Sequence, residues 1–132
     1  PLILKWLEEA SGIVICPSNP FVSVDPLLQL PGMRAALLAA PGPVVAVSPI
    51  VGGQAIKGPT AKMMQELRVP ASAAQVADHY GGLLDGFVLD EQDRELDGTL
   101  APSTIVAQTV MLTLADRVAL ADTVLDFIES LR

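Results

Sequence analysis

The sequence predicts an α/β domain with a mostly parallel sheet and flanking helices. Three observations carry that reading. The runs Ile13–Cys16, Val44–Val47 and Phe87–Leu89 are apolar at nearly every position, as strands buried on both faces are. Helical stretches separate them. Proline and glycine punctuate the joins closely enough to keep connections short, and strand–helix–strand order with short loops favours parallel pairing.

Leu2–Ala10 reads as the end of an amphipathic helix, stopped by Ser11-Gly12, the usual terminating position for glycine. Ile13–Cys16 is the first strand, followed by the loop Pro17-Ser18-Asn19-Pro20 and the segment Val24–Leu30. After Pro31-Gly32 the helix Met33–Ala40 runs to Pro41-Gly42-Pro43, and Val44–Val47 is the second strand. The glycine-rich loop Ser48–Pro59 leads into a helix over Thr60–Leu67, with Pro59 suited to its first turn. Ser72 caps a helix to about Tyr80, which Gly81-Gly82 stops. Phe87–Leu89 is the third strand, Ile105–Thr109 the fourth, and Leu114–Leu131 the longest helix. Its apolar rows, Leu114, Val118, Ala121, Leu125, Ile128 and Leu120, Val124, Phe127, Leu131, make a face wide enough for deep packing or an interface.

With 132 residues, 51% of them hydrophobic and only 17% charged, disorder is excluded on composition. A net charge of -7 argues against binding nucleic acid or an anionic membrane. No apolar run approaches the ~20 residues of a membrane span, and Trp6, Glu8 and Glu9 break any signal-peptide pattern. The lone Cys16 allows no internal disulfide and fits a reducing cytoplasm. A mean hydropathy of +0.48 is high for a small soluble domain. Pro1 in place of Met, directly at a helix, reads as a chain cut from something longer.

Ligands of parallel sheets bind beyond the carboxyl ends of the strands, where the loops after Ile13–Cys16 and Val44–Val47 lie. In the second loop, Gly52, Gly53 and Gly58 leave backbone N–H groups bare for an anion such as phosphate, with Lys57 adding charge. A tight strand-to-helix connection explains the same residues, and the spacing matches neither a P-loop nor a dinucleotide fingerprint. Ser18, Asn19 and Ser23 in the first loop suit hydrogen bonding to a base or ribose, or plain turn-making. The acidic stretch Asp90, Glu91, Asp93, Glu95, Asp97 lacks the twelfth-position glutamate of a calcium loop, since Thr104 stands there; it reads as a solvated turn. His79, the single histidine, reads as a surface or capping residue, and Met63-Met64 as core filling. No catalytic residue and no metal ligand is assigned.

Three segments together carry a resemblance: Cys16-Pro17-Ser18-Asn19-Pro20-Phe21-Val22-Ser23-Val24; Val47-Ser48-Pro49-Ile50-Val51-Gly52-Gly53 with Lys57-Gly58-Pro59; and Val76-Ala77-Asp78-His79-Tyr80 followed by Gly86-Phe87-Val88-Leu89-Asp90-Glu91-Gln92-Asp93. The chain resembles the 2-phospho-L-lactate transferase family over essentially all its residues. The resemblance implies a Rossmann-like α/β region. It implies transfer of a phospholactyl-type group from a guanosine-diphosphate-activated donor to the hydroxyl of the deazaflavin precursor Fo, with release of GMP, in coenzyme F-420 biosynthesis. It also implies a magnesium ion. Ser18, Asn19 and Ser23 would lie near nucleotide or acceptor, and Ser48, Gly52, Gly53 and Lys57 would shape the adjoining pocket. The family's glycine-rich first strand and following acidic residues find no match here. Residues 1–132 are therefore expected to be the carboxyl-terminal part of a transferase, inactive alone, with the metal ligands elsewhere. Ala107-Gln108 replaces a usual Thr-Asp, and Asp25 and Arg68 each stand where glycine is common. The alternative is a non-enzymatic nucleotide-sugar-binding regulator of the same superfamily, against which Lys57-Gly58-Pro59 speaks; a third class is a stand-alone interaction module. On the fragment reading the high apolar content predicts a large exposed apolar patch, or its burial in a homo-oligomer.

Overall fold

The computed structural model describes residues 2–55, 60–68 and 70–132. Four strands, β1 (Ile13–Ile15), β2 (Val44–Val47), β5 (Gly86–Asp90) and β6 (Ser103–Ala107), form one sheet in the order β1-β2-β5-β6. Every pair in it is parallel, in a register that sets Ile13 beside Val44, Val45 beside Gly86 and Gly86 beside Ser103. The α/β architecture read from the sequence is the one observed. The central strands β2 and β5 are buried at every residue, which is why their sequences lack polar alternation.

Side-chain alternation divides the core between the two faces. Val45, Val47 and Val88 point to α6 (Leu114–Leu131) and meet Leu120, Val124, Phe127 and Ile128. Val44, Ala46, Phe87 and Leu89 point the other way. There they pack with Met64 of α4 (Thr60–Glu66) and with Val76, Ala77 and Tyr80 of α5 (Ala73–Tyr80). A smaller cluster, Met33, Leu37 and Leu83 with Leu4 and Leu7, joins α1 (Leu2–Glu9) to α3 (Met33–Ala39). The α6 row Leu114, Val118, Ala121, Leu125, Ile128 is covered only at its end: Leu114, Val118 and Leu125 are exposed, whereas Ile128 is buried.

Local structure differs from the sequence reading in several places. Pro20–Val24 forms a wide helical turn that runs into α2 (Asp25–Leu28). Inside the glycine-rich loop lies a small antiparallel hairpin, β3 (Ile50–Val51) and β4 (Gln54–Ala55). Its turn needs Gly52 and Gly53, at φ 58° and 82°, a region that L side chains enter only with strain. The fourth strand is Ser103–Ala107, ending two residues before the expected Thr109, because Thr109 leaves the ladder to bond Asp90. The acidic stretch is not wholly a solvated turn: Asp93 is buried.

Arg68 follows α4 with φ 60°, so it holds the left-handed position that closes helices and normally belongs to glycine. Replacing it relieves a conformation costing roughly 1–2 kcal/mol, partly offset by the extra unfolded-state freedom of glycine. Arg68→Gly is therefore expected to stabilise the fold by up to about 1 kcal/mol, read as a higher urea midpoint at unchanged slope.

Candidate functional site

The carboxyl ends of β1, β2 and β6 converge on one cavity of about 180 Å³, lined by Pro17, Ser18, Asn19, Pro49, Thr109, Met111 and Arg117. The site thus lies where a parallel sheet is expected to take its ligand. Each lining group is held by a traceable local cause.

Asn19 is fixed through its amide oxygen, which accepts from the backbone N–H groups of Phe21 (2.9 Å) and Val22 (3.1 Å). Two donors at one atom identify it as the oxygen and leave Nδ2 as a donor. Among the described residues Nδ2 meets only the thioether sulfur of Met63, at 3.4 Å, a weak acceptor. The turn that Asn19 caps is clamped from α5: His79 Nε2 lies 2.8 and 2.9 Å from the two Asp25 carboxylate oxygens. The His79 ring packs edge-on against Phe21 at 4.8 Å. His79 therefore braces the loop, a role beyond surface capping. The neighbouring Tyr80 hydroxyl is pushed well above its ordinary pKa, first by burial and then by the Asp25 charge.

Thr109 is fully buried, and Asp90 holds it. One Asp90 oxygen accepts from the Thr109 backbone N–H (2.9 Å) and hydroxyl (2.8 Å), and the other from the Gln92 N–H (3.0 Å). Burial acts to raise the Asp90 pKa, but these three bonds together outweigh it and hold the carboxyl below its ordinary value. Asp93, one turn on, accepts from the Gly52 N–H at 3.0 Å. Its pKa is raised, chiefly by desolvation, with Glu95 and Asp90 adding to the shift against the Gly52 bond.

Of the residues singled out by sequence, the structure brings Ser18 and Asn19 into the cavity. Ser23 opens instead on an apolar groove beside β1. Ser48 is fully buried, and its hydroxyl donates to the Ile50 carbonyl (3.0 Å) while accepting from the Ile50 N–H (3.1 Å). It shapes the turn that presents Pro49. Gly52 and Gly53 form the hairpin turn, and the Gly52 amide faces Asp93. Lys57 lies outside the described residues. Sequence reasoning missed Thr109, Arg117 and the carboxylates Asp90 and Asp93 as site-building groups. For Asp90 and Thr109 a signal existed, since an acid ending a buried strand and a hydroxyl ending its parallel neighbour are placed to bond.

No group of three or more His, Cys, Asp or Glu side chains among the described residues is arranged to hold a metal ion. Asp90 has both oxygens engaged within the fold and Asp93 has one. The described residues alone do not fit the implied magnesium ion. Among the described residues no helix is long and apolar enough to cross a membrane.

The model of the family described as 2-phospho-L-lactate transferase CofD matches residues 1–123. A phosphoenolpyruvate transferase of Kitasatospora aureofaciens is 38% identical over 123 residues, covering 92% of this chain and 38% of that protein. The 2-phospho-L-lactate transferase of Methanosarcina mazei is 44% identical over 94 residues, 71% of this chain and 30% of the relative. That of Methanocaldococcus jannaschii is 35% identical over 128 residues, 97% of this chain and 40% of the relative. The chain thus spans about two-fifths or less of the length of these curated relatives. A family match over residues 1–123, on a parallel sheet whose carboxyl edge carries the cavity, places the conclusion beyond resemblance: the chain belongs to the 2-phospho-L-lactate transferase CofD family.

Proposed function

We propose that this chain forms part of a transferase of coenzyme F-420 biosynthesis. It moves a phospholactyl-type group from a guanosine-diphosphate-activated donor to the hydroxyl of the deazaflavin precursor Fo. The acceptor oxygen attacks the phosphorus that carries the three-carbon acid. The phosphorus–oxygen bond to the guanosine phosphate breaks, GMP leaves, and the hydroxyl proton is released. The observation that supports this is the cavity at the strand ends, where apolar walls from Pro17, Pro49 and Met111 meet polar groups of Ser18, Asn19 and Arg117. That combination suits a planar heterocycle joined to a charged group. In phosphoryl transfer the protein acts mainly by positioning and by neutralising charge, and on this reading the residues named here bind and orient.

The reading also holds that the chain does not turn over alone and works with further polypeptide of the same protein. Among the described residues β1 hydrogen-bonds to β2 on one side only, whereas parallel sheets are normally enclosed. Apolar grooves flank its free edge on both faces. One of about 440 Å³ includes Val14, Cys16, Leu120, Val124 and Leu125; another of about 380 Å³ includes Ile3, Leu7, Leu27 and Met33. The accessible area of 7473 Å² exceeds the roughly 6,600 Å² typical of a compact monomer of this mass. Both features agree with the greater length of the relatives.

The test is a magnesium-supplemented assay with Fo and the activated donor, monitored for GMP release. The 132-residue chain alone is expected to show no turnover above background, and robust turnover would overturn the dependence on further polypeptide. Calorimetry with GDP and with UDP-sugars separates the transferase from a nucleotide-sugar regulator: GDP preference supports the transferase, and UDP-sugar preference sinks it.

A further inference from the structure

We propose that Arg117 is the anion-binding residue of the strand-end cavity and takes a phosphate group of the ligand. The inference begins with charge. Among the described residues Arg117 is the only charged one lining that cavity, in a chain whose net charge is -7. A cation held at a concave polar site in an otherwise acidic molecule concentrates anions there.

Its availability is the second step. Arg117 is exposed, and among the described residues its guanidinium makes no ion pair; those found join Lys62 to Glu66, His79 to Asp25 and Arg132 to Glu129. The nearest carboxylate along the chain, Asp116, is engaged elsewhere, accepting from the backbone N–H groups of Leu112 (3.0 Å) and Thr113 (3.1 Å). The guanidinium fork is thus open to an external partner, and its geometry matches phosphate oxygens in pairs.

The third step is placement. Arg117 lies in the second turn of α6, and Leu120 and Val124, one and two turns further on, anchor the helix against β2 and β5. A capping box of Thr113 and Asp116 fixes its first turn, with the Thr113 hydroxyl accepting from the Asp116 N–H at 3.1 Å. The arginine therefore rises from a rigid base. Among the described residues the other side-chain donors lining the cavity are the Ser18 hydroxyl and Asn19 Nδ2, the latter held there only by a thioether. Thr109, fully buried, donates its hydroxyl proton to Asp90 and backs the cavity wall. An anion is recognised on the Arg117 side, with the Ser18 and Asn19 donors across the cavity.

For the identity of the phosphate-bearing molecule, this assignment rests on the transferase reading; for the anion itself it does not. The experiment titrates the chain with pyrophosphate, GDP and guanosine by calorimetry, using wild type, Arg117→Ala and Arg117→Lys. Arg117→Ala is expected to weaken pyrophosphate and GDP about tenfold or more, and to leave guanosine binding and the thermal midpoint unchanged. Arg117→Lys, which keeps charge but not the fork, falls between. A purely structural role would move guanosine binding and the midpoint together with the anions. Pyrophosphate affinity equal in wild type and Arg117→Ala, or no pyrophosphate binding by the wild type, overturns the assignment. The two readings separate cleanly. Tight GDP binding indifferent to residue 117 removes this proposal and leaves the transferase standing. Arg117-dependent pyrophosphate binding with no gain from the guanosine moiety does the reverse.

Discussion

Asp90→Ala is expected to destabilise the fold by about 3–5 kcal/mol, a large share of the 5–15 kcal/mol by which ordinary domains are stable. The carboxylate is itself buried and satisfies a Thr109 N–H and hydroxyl that are fully buried. Alanine would leave both donors without a partner, and unpaired buried donors carry their whole desolvation cost. Asp90→Asn separates this from simple loss of volume. Its amide oxygen can keep both Thr109 bonds and only the Gln92 N–H loses its acceptor, since an NH₂ group cannot accept, so asparagine is expected to cost clearly less than alanine. The pH dependence has a definite sign. Because the Asp90 pKa is lower in the folded state than the ordinary value near 3.9, its contribution is complete above that value. It is lost as pH falls through the folded-state pKa. Urea titrations at neutral and acid pH should therefore show a difference between wild type and Asp90→Ala that narrows on acidification. A difference that widens, or an alanine variant as stable as the wild type, contradicts the account.

This carboxylate also marks where sequence reading ends. The buried strands were legible because Val44–Val47 and Gly86–Asp90 are enclosed on both faces, and enclosure leaves a continuous apolar run. The loops carrying Ser18 and Asn19 were placed at the sheet's carboxyl edge by connectivity alone, and they lie there. The hairpin within the glycine-rich loop was not legible, since strands of two residues have no periodicity to detect. Asp90 and Asp93 sit in a charged stretch whose composition is that of a solvated turn. Their burial comes from tertiary bonds to Thr109 and Gly52, 19 and 41 residues away. Arg117 was missed for a related reason. One arginine on an amphipathic helix is unremarkable until the packing shows that it borders a cavity.

A second large effect is expected at a residue that sequence reading takes for mere punctuation. Gly42 lies between Pro41 and Pro43, and a helix stop explains it fully. The structure gives it another task. A Cβ built there would overlap the backbone of Ser11 and Gly12, so the turn before β2 lies directly against the turn before β1. Beside that contact Ile13 N–H donates to the Pro43 carbonyl at 2.9 Å, and Ile13 then pairs with Val44. The contact therefore sets where an edge strand of only three residues begins. It also sets how far the Ser18–Asn19 loop projects at the strand's other end. Backbone cannot step aside as a flexible side chain does, so Gly42→Ala is expected to cost about 3 kcal/mol, at the upper end of overpacking effects. It should also weaken ligand binding by displacing the loop. Gly82→Ala is the control: a Cβ there meets nothing within 4 Å, and with its φ outside the left-handed region the change should be neutral or slightly stabilising. Urea unfolding measures both variants, and amide exchange at Ile13 reports the β1 register. A Gly42→Ala protein with wild-type stability and an unchanged Ile13 amide would show that the two turns can part without cost, and β1 would then owe its register to the Ile13–Val44 ladder alone.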